Sequence, residues 1–418
     1  MAHLAVAPLS PPRDPISFPF SRHRSPAHGR PRLSQSHATE NNRTFVELSI
    51  ISVAKTILFP AGPENASCNR PPSPARPAPS PALSPPVCTA PAFTGALRPP
   101  DVRPRIVYMV LFSFEADLLE VLLHEIAGVV HKLVLVEAPY VHQRTFSKPF
   151  LWPKLARQPR FSKFEDLIHY FQVPSQQPSS DIWHGERQAM RAGSQEISDM
   201  ARSWGLKPYD MIIMASVDEI LSRATLINLR RCEVKGPVIA GGVWMPMGAL
   251  DRAFLPDWSV GGRQYAFAPP TTYTFGKFEE MRRNYREKGT GPEVGRMFVP
   301  PNKNLYVLGG IHLTDSPLPA LSILKDLTAT EYHSRHAIGK MKLASTIAGA
   351  NELQVIQTRN SKYASRFIPI HKMSPFEREV VFIPWYLGCN KARFPYMFGK
   401  PDPRNEQLAR VLQGLLGS

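Results

Sequence analysis

The order of apolar and polar residues indicates that a folded domain begins near Arg105. Ile106 to Phe112 is a continuous apolar run with β-branched and aromatic residues, the pattern of a buried strand. Asp117 to Val130 places leucines on one helical face and acids with a histidine on the other, which predicts an amphipathic helix. Lys132 to Glu137 is a second buried-strand pattern. Strand, helix and strand in this spacing predict a βαβ unit in a parallel sheet.

The pattern continues more loosely along the chain. Leu167 to Val173 fits either a third strand or a short helix, and a helix is predicted from about Ile182 to Trp204. Asp210 to Glu219 is an apolar strand that ends in two carboxylates, and Arg223 to Val234 fits the next helix. Further strands of a mixed second half are predicted at Val238 to Leu250, Gly261 to Phe267 and Leu305 to Leu308.

Proline separates the first quarter of the chain from the rest. Of the 44 prolines, 21 precede Arg105, and runs such as Pro71 to Pro74 fit neither a helix nor a sheet interior. We therefore predict a disordered or stalk-like Pro-rich arm over residues 1–104. One α/β domain is predicted over residues 105–400, and a tail with a short helix over residues 401–418.

The formal charge of +16 raises the question of nucleic acid. The basic residues are scattered, and neither an RNA-binding signature nor zinc-finger spacing is present, so no nucleic-acid partner is expected. Membrane association stays open, but no anchor is visible. The longest apolar stretch of the arm, Phe45 to Phe59, is interrupted by Glu47 and Lys55 and is too short to span a bilayer.

The four cysteines lack the spacing of a structural zinc site. Cys68 and Cys88 both lie in the arm and would pair in an oxidising compartment. Four free thiols, which include Cys232 and Cys389, are the equally weighted alternative.

The first candidate chemistry lies at Asp218 and Glu219. Ligands of open α/β sheets bind at the carboxyl ends of strands, and acids beside a buried strand are costly unless they meet water or a cation. Carboxylates are preferred ligands of Mg²⁺ and Mn²⁺, and such an ion would offset charge on a leaving diphosphate. The alternative is a solvated acidic turn that caps the next helix.

Several segments extend this hypothesis. They are Phe112 to Glu125 with Val130 to Glu137, Thr145 to Pro149, Trp183 to Gln188, Ile213 to Ile220, Gly309 to Leu313, and Phe382 to Leu387 with Phe394. Together and in this order they resemble glycosyltransferase family 17, the β-1,4-mannosyl-glycoprotein N-acetylglucosaminyltransferases. The resemblance covers about Val107 to Phe398.

The resemblance implies a GT-A-like α/β fold with a mixed, mainly parallel central sheet. It also implies a UDP-N-acetylglucosamine donor, a glycoprotein N-glycan acceptor, a divalent metal (Mn²⁺ or Mg²⁺), an inverting reaction and a place in the Golgi membrane system. An inverting transfer needs a base that deprotonates the acceptor hydroxyl.

We assign roles to individual residues on this basis. Asp218 and His312 are the predicted metal ligands, although His312 fits equally a hydrogen-bonded histidine in a glycine turn. Glu331 is the first candidate for the base and Asp257 the second. The predicted donor contacts are Glu219, Glu115, Glu186 and Ser216, and Glu219 has a structural alternative. Trp244 and Trp258 are the predicted acceptor contacts, because aromatic faces stack on sugars.

The sequence also departs from the family pattern. Ser216 stands where the family usually has Asp, Ile311 where it has Trp, and Thr330 where it has His. Leu122 replaces an Arg in the first helix. These departures motivate two alternatives: a catalytically weak relative that binds a glycan or partner, and a transferase with another donor sugar.

Overall fold

The predicted βαβ unit opens a mixed sheet with helices on both faces. A computed structural model describes Glu64, Cys68, residues 88–141, 147–174, 184–255, 259–267, 270–288, Gly295, 305–313, 367–404 and Arg410. Most of the predicted arm and most of the predicted tail lie outside these residues, as does most of the loop at 289–304.

The central sheet has nine strands among the described residues. Eight follow the order β4-β3-β2-β5-β12-β8-β13-β6, and β11 pairs with β8. They are β2 (Ile106–Phe112), β3 (Lys132–Glu137), β4 (Ile168–Gln172), β5 (Met211–Ser216), β6 (Glu219–Leu221), β8 (Val238–Trp244), β11 (Ala266–Phe267), β12 (Thr271–Thr274) and β13 (Tyr306–His312). The predicted strands β2 and β3 are confirmed at the predicted residues.

Strand direction brings many strand ends to one edge. β2 is parallel to β3 and β5, β3 is parallel to β4, and β8 is parallel to β13. β12 lies antiparallel between β5 and β8, so β5 and β8 run the same way. The mixed sheet is therefore confirmed, but a mainly parallel one is not. Of the eight pairings that the described strands make within the central sheet, four are parallel and four, including those of β6 and β11, are antiparallel.

In the part of the chain that the structure describes, four longer helices cover the two faces of the sheet. Apolar residues of α1 (Ala116–Ile126) and α5 (Arg223–Arg231) belong to the larger core cluster, and those of α4 (His184–Met200) and α6 (Phe275–Lys288) belong to the second cluster on the other face. The short helices are α2 (Trp152–Leu155), α3 (Pro159–Ser162), α7 (Pro375–Arg378) and α8 (Trp385–Cys389). Single 3₁₀ turns occupy Pro100–Val102, Glu165–Leu167, Ile370–Lys372 and Pro395–Phe398.

The predicted helices end earlier than expected: α4 ends at Met200 rather than Trp204, and α1 and α5 are shortened for local reasons. α1 ends at Ile126 rather than Val130, because Gly128 takes a positive φ of 73° that ends the helix. α5 begins after Ser222, whose Oγ accepts a hydrogen bond from the Thr225 backbone N–H. It ends at Arg231, because the following residues pair as a strand.

Two small sheets lie outside the central one. β1 (Phe93–Leu97) pairs with β7 (Cys232–Val234), and β10 (Ala249–Phe254) lies between β9 (Pro246–Met247) and β14 (Phe367–Pro369). Because β1 falls within the predicted arm, regular structure begins before Arg105.

Both interpretations of the cysteines are wrong. Cys88 is bonded to Cys232 and Cys68 to Cys389, and the structure has no free cysteine. The pairing Cys68–Cys88 was expected from closeness in sequence. The observed bonds instead join residues 144 and 321 positions apart, because the fold brings the N-terminal strand and arm against distant segments.

The polar face of α1 is buried, although amphipathicity predicted a solvent-facing side. Glu120 is fully buried, and it accepts hydrogen bonds from Tyr386 (2.7 Å) and from Arg393 (3.1 Å). Asp117 is paired with Arg160 (3.0 Å) and Arg404 (2.9 Å). Most of these partners lie in residues 367–404, which we call the C-terminal segment. The acids of α1 therefore hold the C-terminal segment onto the domain.

Among the described residues, no helix combines the length and the apolar character that crossing a bilayer requires.

Candidate active site

The candidate site lies at the sheet edge where β2, β3, β4, β5, β8 and β13 all end. β5 is apolar up to Ser216, and a turn through Val217 and Asp218 leads directly into β6. Asp218 is 3% exposed and Glu219 is fully buried. The sheet therefore places two adjacent carboxylates at the carboxyl end of a central strand, the position where ligands of α/β sheets bind.

His312 faces both carboxylates from the neighbouring strand. It pairs with Glu219 in the antiparallel register of β13 and β6. Its Nε2 lies 3.7 Å from Asp218 Oδ2 and 3.9 Å from Glu219 Oε1. The backbone fixes this approach, because the Leu313 N–H donates to the Asp218 carbonyl at 2.8 Å. The predicted pair of Asp218 and His312 is thus brought together.

The side chain of Glu219, the first residue of β6, is held against the turn. Its Oε2 accepts a hydrogen bond from the Ser216 backbone N–H at 2.9 Å, and its carbonyl accepts one from the Tyr108 hydroxyl at 2.7 Å. This position favours the structural alternative for Glu219, because the carboxylate stabilises the turn that presents Asp218. Ser216 is partly buried at the same turn.

Glu115 and Glu186 lie at the same edge of the sheet. Glu115 precedes α1, and its Oε2 accepts from the backbone N–H groups of Ser113 and Phe114. Glu186 stands in the first turn of α4, the helix that crosses from β4 to β5. The topology therefore brings the predicted donor contacts to one edge of the sheet. One carboxylate oxygen of Glu115 is already engaged in hydrogen bonds to the loop that precedes it.

The assignment of Trp244 to the acceptor is wrong. Its side chain is fully buried at the end of β8, and its Nε1 donates to the Phe382 carbonyl at 2.6 Å. A ring with no exposed face cannot stack on a sugar, so its large apolar area fills the core instead. Trp258 and the two candidate bases, Asp257 and Glu331, lie outside the described residues.

Sequence reasoning missed a buried ion pair at this edge. Glu137, the last residue of β3, lies 2.6 Å from Lys148 Nζ, and both side chains are almost completely buried. The Glu137 carboxylate also accepts from the Leu151 and Trp152 backbone N–H groups and the Tyr170 hydroxyl. Burial lowers the pKa of Lys148, and the negative charge of Glu137 opposes that shift. The sequence signal that could have identified Glu137 was an acid at the end of a buried strand, the same pattern that identified Asp218.

Comparison with known protein families gives a match that covers part of this edge. Residues 88–241 match the family described as Glycosyltransferase family 17. This segment of the chain is similar to glycosyltransferase family 17. The matched segment holds Asp218, Glu219, Ser216, Glu115 and Glu186 and ends within β8. A search among curated proteins found no match.

The match to family 17 supports a glycosyltransferase, an enzyme class that in general takes a nucleotide-sugar donor and a glycan acceptor. His312 and the C-terminal segment lie beyond the match, so the contacts of those residues with the turn at Asp218 come from the structure alone.

The residues of the edge fit a divalent cation. Two ligand atoms bound to one ion at about 2.1 Å lie roughly 3–4 Å apart, and Asp218 Oδ2 and His312 Nε2 are separated by 3.7 Å. Carboxylate oxygen and imidazole nitrogen are a ligand set that Mn²⁺ accepts. The His312 Nδ1 atom is buried without a hydrogen-bond partner among the described residues, so no hydrogen bond there orients the ring.

A second group of possible ligands does not fit a cation. Ligand atoms of Glu64, Glu120 and His124 lie within 4.8 Å of one another. The two acids already have cationic partners: Arg160 and Arg393 for Glu120, and Lys163 for Glu64. Burial, with Lys163 and Arg393 nearby, lowers the pKa of His124 to about 3. A divalent cation would add positive charge beside acids that Arg160, Arg393 and Lys163 already neutralise, so we assign no metal here.

Proposed function

We propose that the protein transfers N-acetylglucosamine from UDP-N-acetylglucosamine to a mannose of an N-linked glycan, forming the β-1,4 bisecting linkage. The reaction is metal-assisted and inverting, on a GT-A-like fold. One observation carries the proposal: Asp218 and His312 face each other at the carboxyl edge of the sheet, with Oδ2 and Nε2 3.7 Å apart. The match to glycosyltransferase family 17 supports a glycosyltransferase, and the proposed donor and acceptor are those that the resemblance implies.

The chain's own residues would share the work at this edge. Asp218 and His312 would hold Mn²⁺ or Mg²⁺, which when bound offsets negative charge on the leaving diphosphate. Glu219 keeps the turn in place through the Ser216 N–H. Glu115 and Glu186 are the proposed donor contacts at the neighbouring strand and helix ends. The base remains a prediction, with Glu331 first and Asp257 second.

We further propose that the protein works in the Golgi or another part of the secretory membrane system. All four cysteines are paired, and disulfides persist in oxidising compartments. The sequence also carries two glycosylation sequons, at Asn42 and Asn65, which are used only in the secretory pathway. The resemblance to family 17 points to the same compartment.

The first prediction tests the metal assignment. Asp218→Asn keeps the size of the side chain but removes its charge, and we expect transfer from UDP-N-acetylglucosamine with Mn²⁺ to fall about a hundredfold or more, because metal stabilisation of the leaving group contributes several kcal/mol. The measurement is kcat/KM with a mannose-terminated N-glycan. A chelator should abolish wild-type activity, and Mn²⁺ should restore it.

Asp251→Asn is the matched control, because the Asp251 side chain is 71% exposed and lies on β10. It should retain wild-type kcat/KM. Full activity in Asp218→Asn, or activity that a chelator leaves unchanged, removes the proposed metal site.

A catalytically weak, glycan-binding relative is the second candidate, and Ser216 favours it. The family usually has a carboxylate at this position, and in the structure the backbone N–H of Ser216 donates to Glu219. Absence of turnover with a panel of nucleotide sugars, together with retained glycan binding, would select this candidate. Turnover with a different nucleotide sugar would keep the transferase and change the donor.

A further inference from the structure

An exposed aromatic ring on the C-terminal segment is fixed in position by its neighbours. Phe376, in α7, exposes 50% of its surface. The guanidinium of Arg263 lies over the ring, and its Nη1 donates to the Phe376 carbonyl at 2.6 Å. The Nη2 of Arg263 pairs with Glu379 at 2.6 Å. Arg263 therefore braces the ring from one side.

The short helix that carries this ring is also fixed. The Ser374 Oγ accepts from the Glu377 backbone N–H, and the Glu377 carboxylate accepts from the Ser374 N–H, a reciprocal capping box. The Arg378 Nε donates to the Met373 carbonyl at 2.9 Å. A ring whose backbone and side chain are both held loses little conformational entropy when a ligand binds.

A short segment connects this ring to the candidate active site. Arg263 precedes Phe267 by four residues, a span that reaches at most about 14 Å. The ring of Phe267 meets that of His312 edge-on, with centroids 6.2 Å apart. The contacts of Arg263 and Phe267 therefore connect the exposed ring of Phe376 to the neighbourhood of Asp218 and His312. An oligosaccharide of several rings can bridge this distance.

We propose that Phe376 is the stacking platform for a pyranose ring of the acceptor glycan, in the role first assigned to Trp244. The apolar C–H face of a pyranose packs on an aromatic face through dispersion and apolar burial. Arg263 and Glu379 lie beside the ring. Guanidinium and carboxylate groups form hydrogen bonds with hydroxyls, so both residues could contact the sugar. This inference rests on the proposed function, since it names the acceptor subsite of that reaction.

The kinetic test compares acceptor and donor in one variant. In Phe376→Ala, the KM for an N-glycan oligosaccharide should rise about tenfold, which corresponds to 1.4 kcal/mol of lost binding. The kcat and the KM for the nucleotide sugar should not change, because the edge at Asp218 is untouched. Phe376→Trp should restore the low KM, and the melting temperature should stay at the wild-type value in both variants.

Tyr209→Ala is the matched control, because Tyr209 is 40% exposed and lies just before β5, at the opposite edge of the sheet. It should leave every kinetic constant unchanged. An unchanged acceptor KM in Phe376→Ala overturns the inference. So does an equal loss in the Ala and Trp variants, because that result indicates a packing role.

Direct binding separates this inference from the proposed function. Binding of the same oligosaccharide, measured by saturation-transfer NMR without donor, should be weakened in Phe376→Ala and unaffected in Asp218→Asn. If the wild type shows no turnover but binds the glycan through Phe376, the transferase reaction fails and the platform stands. Equal binding by the wild type and Phe376→Ala, or no binding by the wild type, overturns the platform.

Discussion

At the scale of single residues, two adjacent acids have different tasks. Glu219 is engaged by the Ser216 N–H and lies in a strand, whereas Asp218 lies in the turn with its Oδ2 towards His312. A change at Glu219 would therefore act on the shape of the turn, and a change at Asp218 on the charge of the site.

Glu125 gives a prediction about pH. It lies in α1, and its Oε1 accepts from the Arg223 N–H at 2.9 Å, while its Oε2 has no hydrogen-bond partner among the described residues. Burial raises the pKa of Glu125 from 4.5 to about 7, against the hydrogen bonds to Arg223 and Trp385. Because the folded pKa lies above the unfolded one, stability is full below about pH 4.5 and is lost as the pH rises to about 7.

Glu125→Gln should remove this loss of stability at rising pH, because the amide does not ionise. We expect its free energy of unfolding, relative to wild type, to increase between pH 5 and pH 7.5 by on the order of 3 kcal/mol. Denaturant unfolding at several pH values measures the difference. Glu280→Gln is the control, because Glu280 is exposed on α6 and should change nothing. A pH-independent difference between Glu125→Gln and the wild type contradicts the raised pKa.

At the scale of elements, a strand could be predicted where its own residues were enough to identify it. β2, β3 and β5 are continuous buried runs, so their patterns predicted them, and the acids after β5 could be placed at a strand end. β12 was missed, because its four residues Thr271 to Thr274 are polar and aromatic and their burial depends on both neighbouring strands.

Residues whose surroundings come from distant segments could not be predicted. The acids of α1 were expected on a solvent-facing side, but Arg393 and Arg404, far along the chain, bury them. Trp244 was misassigned because ring size fits a core position as well as a sugar platform. Phe376 gained its proposed role only from its contact with Arg263, more than a hundred residues away.

The glycines of β13 give a prediction at the scale of elements. A Cβ at Gly310 would lie 2.6 Å from Val243 Cγ1 and 2.7 Å from the Ile220 carbonyl. Gly310→Ala should therefore push β13 away from β6 and move His312 from Asp218. We expect a loss of about 1–3 kcal/mol in stability, because overpacking of a close strand contact costs that much.

Activity should fall further than stability explains, because the distance between His312 and Asp218 changes. The measurement is kcat/KM well below the melting temperature. Gly388→Ala is the control, since its Cβ would make only an ordinary contact of 3.9 Å with Ile383. Wild-type kcat/KM in Gly310→Ala would show that the register of β13 does not set the site.

At the scale of the whole molecule, the disulfides give the last prediction. Mass spectrometry of non-reduced peptides should find Cys88 joined to Cys232 and Cys68 to Cys389. The double variant Cys88→Ser with Cys232→Ser should lose about 2–4 kcal/mol of unfolding free energy, because the bond closes a long loop. Detection of a Cys68–Cys88 peptide, or alkylation of four free thiols in the native protein, would contradict these pairings.

The position of β12 also constrains how the chain is made. This strand follows β8 in sequence, yet it lies between β5 and β8 in the sheet. During synthesis, β5 and β8 therefore have open edges towards each other until Thr274 has left the ribosome. A nascent chain that stops at residue 241, the end of the family match, holds strands but cannot close them into one layer. Open strand edges aggregate readily, so a protein shortened to that segment is expected to precipitate rather than fold.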